Sequence, residues 1–301
     1  MLGSVAAATF GAEAMPRPMW RLPLIAARER PHRLGRERVP EPMVMNDPES
    51  VAQFHAGGEA NPGMLMVYDF SARALNSLLP EGARLLDLGV GSGHALAHLA
   101  RLRPDLEITG VDLAPNMLAT ARDLFDGEEM NGRVELVEAD ITALPDSIAD
   151  RPWDGISCLW TLHQLPDFDL LRAALRQIAA VRKRTGAAVW IFDFQRLRSA
   201  DTFPAFVEVV APAIGPVLRG DAIASEAAGF THDELTAELA TAGLGDLRSG
   251  HARPLAWLQA FWAPRVDGKP GGIAPFKPAR LPSRARGDAA MLRWGFTAKP
   301  F

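Results

Sequence analysis

With 301 residues, 48% of them apolar and 23% charged, the chain has a globular composition and can bury a sizeable core. No window approaches the ~20 uninterrupted apolar residues a membrane-spanning helix requires, and the single cysteine, Cys158, excludes an intrachain disulfide and a thiolate cluster for zinc or iron–sulfur. The formal charge of −4 is unevenly spread: seven Arg face three Glu in residues 1–39, eight Lys and Arg face two Asp in 265–301, and residues 40–264 therefore carry −14.

Basic ends thus flank an acidic body, and two readings of them stay open. The ends lie on the body and neutralise it, or they bind nucleic acid or another anionic surface. The first fifteen residues, "MLGSVAAATFGAEAM", have a short apolar run with no basic residue ahead of it and Glu13 inside it, a poor fit to a signal peptide. A cytoplasmic protein is expected, with no membrane partner.

Residues 1–45 form a Pro- and Arg-rich arm, too broken by "PRPMWRLPLIAARERPHRLGRERVPEP" for any long regular element. A helix opens at "NDPES", where Asn46 and Asp47 are possible caps, and is expected to stop at Gly57 and Gly58. A second runs from about Gly63 to Leu79, with Leu65, Tyr68, Ala72, Leu75 and Leu79 at helical spacing. From Arg84 the pattern changes. "RLLDLG", "EITGVDL", "RVELVEAD", "WDGISCLW" and "AAVWIFDF" read as buried strands, and helices start near His94, Asn116 and Asp167 between them. Such alternation predicts an α/β fold, a doubly wound, mostly parallel sheet with helices on both faces. Residues 200–229 form an apolar helical insertion, followed by a helix capped by Thr231 with Glu234 three residues on. Strands near 247–253 and 255–262 bring the total to seven. The main domain is expected over 46–264, and 265–301 reads as an irregular basic, Gly- and Pro-rich tail.

Gly89, Gly91 and Gly93 occupy the first strand-to-helix turn, where parallel sheets bind ligands. A dinucleotide fingerprint needs G-x-G-x-x-G, but its last position here is His94 and the spacing is G-x-G-x-G. Asp87, at the strand end, repels a pyrophosphate and attracts an ammonium or sulfonium group. Asp112 ends the second strand, where an acid takes both ribose hydroxyls, and Asp140 ends the third, near the place of an adenine amine. Any one of these acids alone reads as a cap or surface charge. Three ending successive buried strands beside a glycine turn point to a nucleoside cofactor.

The stretches "LLDLGVGSG", "GVDLAPNML", "VELVEADITALP" and "WDGISCLWTLHQLPD" resemble the class I S-adenosylmethionine-dependent methyltransferases, over roughly residues 63–263, and most of all the small-molecule branch with the ubiquinone and menaquinone biosynthesis enzymes. The resemblance implies S-adenosyl-L-methionine as cofactor: Asp87, Gly89, Gly91 and Gly93 hold its methionine portion, Asp112 its ribose, Leu113 and Met117 flank adenine, and Asp140 with Ile141 reads the adenine amine. Leu159, Trp160 and Thr161 line the sulfonium.

His163 lies just beyond the fourth strand as candidate general base or acceptor hydrogen bond; a helix cap is the plainer role. Asp193, Gln195 and Arg196 end the fifth strand as candidate acceptor-binding groups, with a salt bridge as the alternative for Arg196. The insertion, with Phe203, Phe206, Val209, Val210 and Ile214, is either a lid over the acceptor pocket or plain packing on the sheet. The Asn/Asp-Pro-Pro-aromatic stretch of base-amine and amide methyltransferases is replaced by "LWTLHQLPD", which disfavours such acceptors. A small-molecule acceptor is the leading reading. A peptide, protein or RNA acceptor served by the basic arms, and a catalytically silent cofactor-binding partner subunit, are the alternatives.

Overall fold

A computed structural model describes residues 17–30, 35–128, 130, 132–269, 271–272, 276–277 and 279–301. The apolar run weighed above as a leader lies outside the described residues. Pro and Arg keep the arm irregular: residues 19–29 form short helical turns, the longest α1 (Leu22–Ala26), and residues 35–47 carry neither helix nor strand.

Asp47 caps α2 (Pro48–Ala60) by accepting from Ser50 N–H at 2.9 Å, whereas the Asn46 side chain accepts from Asn116 N–H. The helix does not stop at Gly57 and Gly58. It continues to Ala60, because the two glycines mark close packing and not a terminus: a Cβ on Gly58 would lie 2.4 Å from His94 Cδ2, and one on Gly57 2.9 Å from Leu218 Cδ2. The break comes at Asn61, whose carboxamide oxygen accepts from the Gly63 and Met64 N–H groups and starts α3 (Pro62–Leu78).

The alternating region then gives β1 (Arg84–Leu88), α4 (His94–Leu102), β2 (Glu107–Asp112), α5 (Pro115–Gly127), β3 (Val134–Glu138), the short α6 (Asp146–Ala149), β4 (Gly155–Leu159), α7 (Phe168–Thr185) and β5 (Ala188–Phe194). The insertion is α8 (Thr202–Val210) and α9 (Pro216–Ala228), followed by α10 (His232–Thr241), β6 (Arg248–His251) and β7 (Leu258–Ala263). At α10 the expected reciprocal cap of Thr231 and Glu234 forms.

The seven strands run in the order β3-β2-β1-β4-β5-β7-β6, with β7 antiparallel to both neighbours and the other pairings parallel. All seven residues of β5 are buried, as a strand covered on both faces must be. Period-two alternation sends Trp190, Phe192 and Phe194 into the core under α3, α4, α8 and the C-terminal helix, and Val189 and Ile191 into the core under α7 and α10.

One expectation fails in the tail. Residues 283–295, read as irregular, form α11 (Ser283–Gly295) against α3. Its buried stripe is Ala285, Asp288, Ala289 and Leu292, a helical period that the preceding Gly, Pro and Arg residues obscured. The two basic ends meet the body and each other: Arg36 pairs with Glu226, Arg293 with Asp69, and Arg17 with Asp288 of α11. Among the described residues no helix is long and apolar enough to cross a membrane.

Candidate functional site

Strand order reverses between β1 and β4, so a crevice opens beyond their carboxyl ends. The glycine turn lies there, and its three glycines differ in what they permit. All have positive φ, +82° at Gly89, +53° at Gly91 and +85° at Gly93. A Cβ on Gly89 would stand 2.1 Å from Thr161 Oγ1, and one on Gly93 3.0 Å from Phe125, so these two are closed by packing. At Gly91 the nearest atom is Phe54 Cε1 of α2 at 4.0 Å, which leaves that stretch of bare backbone free to approach a ligand.

Acids surround the turn. Asp87 is buried and accepts a hydrogen bond from Ser157, its partner across the β1–β4 ladder. Burial pushes its carboxyl up to about 7, the Ser157 hydroxyl pulls the other way, and the neighbouring Asp112 charge adds to the rise. Asp112 is half-buried: Oδ2 accepts from Gly91 N–H at 2.8 Å and Oδ1 from Ala114 N–H at 2.9 Å. Burial raises its carboxyl too, against those backbone bonds. Each oxygen keeps a second lone pair for a hydroxyl donor. Leu113 is half-buried beside it, and Met117 is buried with Ala114 and Val51 of α2, so α2 roofs this part of the crevice. At the end of β3, Asp140 Oδ1 accepts from both the backbone and the hydroxyl of Thr142, fixing a turn, while Ile141 packs with Leu144 and Ile148 in the core under α7.

At the end of β4, Leu159 is half-buried, and just beyond it Trp160 adopts φ +52°, a left-handed conformation that a bulky residue rarely takes. Its ring stacks on Phe194 at 5.5 Å and meets Tyr68 of α3 edge-on at 6.4 Å, and its buried Nε1 has no partner among the described residues. Thr161 Oγ1 donates to the Leu159 carbonyl at 3.0 Å. Cys158 is buried, and burial pushes its thiol far up, consistent with an inert role.

His163 lies in a short helical turn, Leu162–Gln164, and the cap of the following helix α7 is Asp167, whose carboxylate accepts from Leu170 N–H. Asp193 holds His163: one carboxylate oxygen accepts from the His163 backbone N–H at 3.0 Å, the other from Nδ1 at 2.6 Å and from the Phe194 N–H at 2.7 Å. Both side chains are buried. Burial pushes the imidazole down, but the charge and hydrogen bond of Asp193, helped by Glu41, outweigh it against Arg38, and the net shift is upward. With Nδ1–H on Asp193, the Nε2 lone pair is the ring's available base.

Gln195 and Arg196 are placed elsewhere. They line a cleft of about 790 Å³ with arm residues Arg36 and Arg38 and with His232 and His251, and neither His163 nor Asp193 lines it. Arg196 is engaged on all sides, donating to the Arg36 and Gly229 carbonyls and pairing with Glu234 at 2.7 Å, which is the plainer role foreseen for it. A second cleft, about 420 Å³, lies at the amino ends of β1 and β2, the far end of the sheet from the glycine turn, where Arg84 pairs with Glu107 and Arg151 with Glu135 while Arg133 donates to the Ala100 and Pro104 carbonyls.

Three residues of this region, Ser157, His98 and Glu41, went unread in the sequence, and a fourth, Tyr68, was read only in part. Ser157 had a signal, a lone hydroxyl in an otherwise apolar strand. His98, one helical turn past His94 and pushed down to about 4 by burial, packs 6.4 Å from Tyr68 with its Nε2 unpartnered among the described residues. Tyr68 was read only as a helix-face residue. Glu41, in the Pro-rich arm, had no signal.

Known proteins share this architecture. Residues 85–186, about a third of the chain, match a family model described as a methyltransferase domain. The chain is 34% identical over 113 residues to the ubiquinone biosynthesis O-methyltransferase of Xanthomonas axonopodis pv. citri (strain 306), covering 36% of this chain and 42% of that protein. It is 31% identical over 120 residues to the ubiquinone/menaquinone biosynthesis C-methyltransferase UbiE of Geobacter sulfurreducens (strain ATCC 51573 / DSM 12127 / PCA), covering 40% and 44%. The matched segment thus spans less than half the length of either relative. The solved structure of the mitomycin 7-O-methyltransferase MmcR shares the fold, with a TM-score of 0.52 at 21% identity over 73% of this chain and 58% of that one.

Proposed function

We propose that the protein is a class I methyltransferase that transfers a methyl group from S-adenosyl-L-methionine to a small-molecule acceptor that gives up a proton, a reading supported by the match of residues 85–186 to a methyltransferase domain. The carrying observation is the convergence, at the switch point of the sheet, of the glycine turn, Asp87 and Asp112 with the His163–Asp193 pair. The relatives' names, methyltransferases of ubiquinone and menaquinone biosynthesis, support that class of substrate.

The residues suit the cofactor chemically. Asp112 offers lone pairs to ribose hydroxyls, Gly91 offers bare backbone, and Asp87, with Ser157 favouring its ionised form, matches an ammonium group. Leu113 and Met117 give apolar flanks for adenine, with Asp140 and Ile141 at its amine edge. Leu159, Trp160 and Thr161 follow one another beside the glycine turn, where Thr161 Oγ1 packs on Gly89 and Trp160 Nε1 is buried with no partner among the described residues, and we assign them to the sulfonium end of the cofactor. When bound, the cofactor supplies an activated methyl on a sulfonium, so the protein's main work is positioning and exclusion of water. His163 Nε2 receives the acceptor's proton, and Asp193 fixes the ring and stabilises the imidazolium.

Calorimetry with S-adenosylhomocysteine tests the cofactor assignment. Asp112→Ala should lower affinity roughly tenfold to a hundredfold, the ~1.5–3 kcal/mol of lost charge-assisted hydrogen bonds. NAD should give no thermal stabilisation. Unchanged affinity in a folded Asp112→Ala protein overturns the assignment. Labelled methyl donor with cell extract, separated into small and large molecules, decides the acceptor class, and label only in macromolecules rejects the small-molecule reading.

A further inference from the structure

The arm is anchored over the loop that carries His163. The Arg38 guanidinium donates to the carbonyls of His163 and Pro166 at 2.7 Å, Leu165 at 2.5 Å and Ala228 at 2.6 Å, and lies 4.1 Å over the Phe230 ring. Five hydrogens in a rigid fork suit a guanidinium to several carbonyls at once, which a lysine cannot match. Three residues further on, Glu41 turns inward.

We propose that Glu41 is a positioning residue for methyl transfer: the arm, pinned by Arg38 across the loop after β4, brings the Glu41 carboxylate to 3.8 Å from Nε2 of His163, so that the imidazole lies between two carboxylates. The inference rests on the reading of His163 as the group that takes the acceptor's proton.

Asp193 is fixed to Nδ1 at 2.6 Å, whereas the 3.8 Å separation on the Nε2 side is longer than a hydrogen bond. Nε2 is therefore not hydrogen-bonded to Glu41 and keeps its lone pair for the acceptor's proton. As the acceptor's lone pair forms the new bond to the methyl carbon, the carbon–sulfur bonding pair returns to sulfur. The acceptor's proton goes to Nε2, and the positive charge that appears on the ring is flanked by Asp193 on one side and Glu41 on the other. Glu41 is itself oriented by Ser225 of α9, whose hydroxyl donates to its two oxygens at 3.2 and 3.3 Å. The charged groups facing this pair are Asp193 of β5 and Arg38 of the arm toward His163, and Asp221 of α9 and Asp193 toward Glu41. Arg38 opposes the rise in His163 basicity and Glu41 supports it. Basicity and the covering of the site are thereby tied to one segment.

The test needs no acceptor. His163 is titrated by NMR of the labelled imidazole in the full chain saturated with S-adenosylhomocysteine, and again without it. Glu41→Gln keeps size and shape but removes the charge, and should lower the His163 midpoint by about one pH unit, a tenfold loss of proton affinity. Glu41→Asp should keep most of the wild-type midpoint. S-adenosylhomocysteine affinity should stay within about twofold in both, since Glu41 lies on the acceptor side. An unchanged midpoint in Glu41→Gln, or equal midpoints in the Gln and Asp variants, overturns the proposal. Failure of the cofactor to bind wild-type protein would overturn the functional reading instead, and the titration without ligand would still decide whether Glu41 acts on His163.

Discussion

Replacing Asp193 by Asn keeps the volume and removes the charge at a site where three donors converge: the His163 backbone N–H, His163 Nδ1–H and the Phe194 N–H. An amide has one accepting oxygen and presents its NH2 group to the remaining donors, so at least one buried N–H loses its partner. Leaving a buried donor unsatisfied costs ~1–3 kcal/mol, and breaking a buried charged pair typically costs ~3–5 kcal/mol in all. The expected destabilisation is therefore about 3–5 kcal/mol. Its pH dependence carries the diagnosis. In wild type the folded-state pKa of His163 is raised, so its contribution is fully present below the unfolded value near 6.5 and is lost as pH rises through the folded value. In Asp193→Asn burial, the largest influence on His163, is no longer outweighed. The folded pKa then falls below the unfolded one, and the variant gains stability as pH rises toward 6.5. The gap between the proteins should be widest near pH 5.5 and narrow by pH 8.5, read by urea unfolding with tryptophan fluorescence. A gap that is flat across this range, or smaller than about 1 kcal/mol at pH 5.5, refutes the coupling of Asp193 to His163.

Gly58→Ala should weaken S-adenosylhomocysteine binding by roughly tenfold without unfolding the protein. The new Cβ meets the His94 ring at 2.4 Å and lifts α2 from the glycine turn, while alanine restores ~1 kcal/mol of helix propensity. Calorimetry giving wild-type affinity would remove α2 from the binding site. Asp87, pushed up to about 7 by burial, lowers fold stability as pH rises from its unfolded value of 3.8 through about 7. Cofactor affinity should run the other way, increasing with pH up to about 7 and then levelling, because an ammonium selects the ionised carboxylate. Ser157→Ala should move that midpoint upward by removing a bond to the ionised form. Binding that is flat between pH 6 and 8 would dissociate Asp87 from the ammonium.

The alternating core of the fold was legible because its strands are buried on both faces and its helices carry a 3.6-residue stripe. Period alone could not tell Gly57 and Gly58 from a helix end, since a glycine required by a neighbour's ring looks like one required by a turn. It also missed α11, whose stripe is made of two alanines, an aspartate and a leucine, small and charged side chains that read as tail. In the site, the acids at strand ends were legible from spacing. Ring orientation at His163 was not, because Asp193 lies thirty residues away and only the β4–β5 pairing brings them together. Glu41 is further still from any local signal, since its neighbours in space come from α9 and the loop after β4.

The arm's contacts also set an order of events during synthesis. Arg36 and Arg38 find Glu226 and Ala228, each 190 residues later in the chain. At typical translation rates of ~5–20 residues per second the arm would wait roughly 10–40 s for these partners to be made. During that interval Arg36 has no carboxylate to meet, and Arg38 can reach only the carbonyls of His163, Leu165 and Pro166, which are made earlier. Docking of the arm is consequently completed only with α9, and a ribosome-bound chain halted before it should hold residues 36–41 by the Arg38 contacts to the loop after β4 alone, with faster cleavage there than in the full chain.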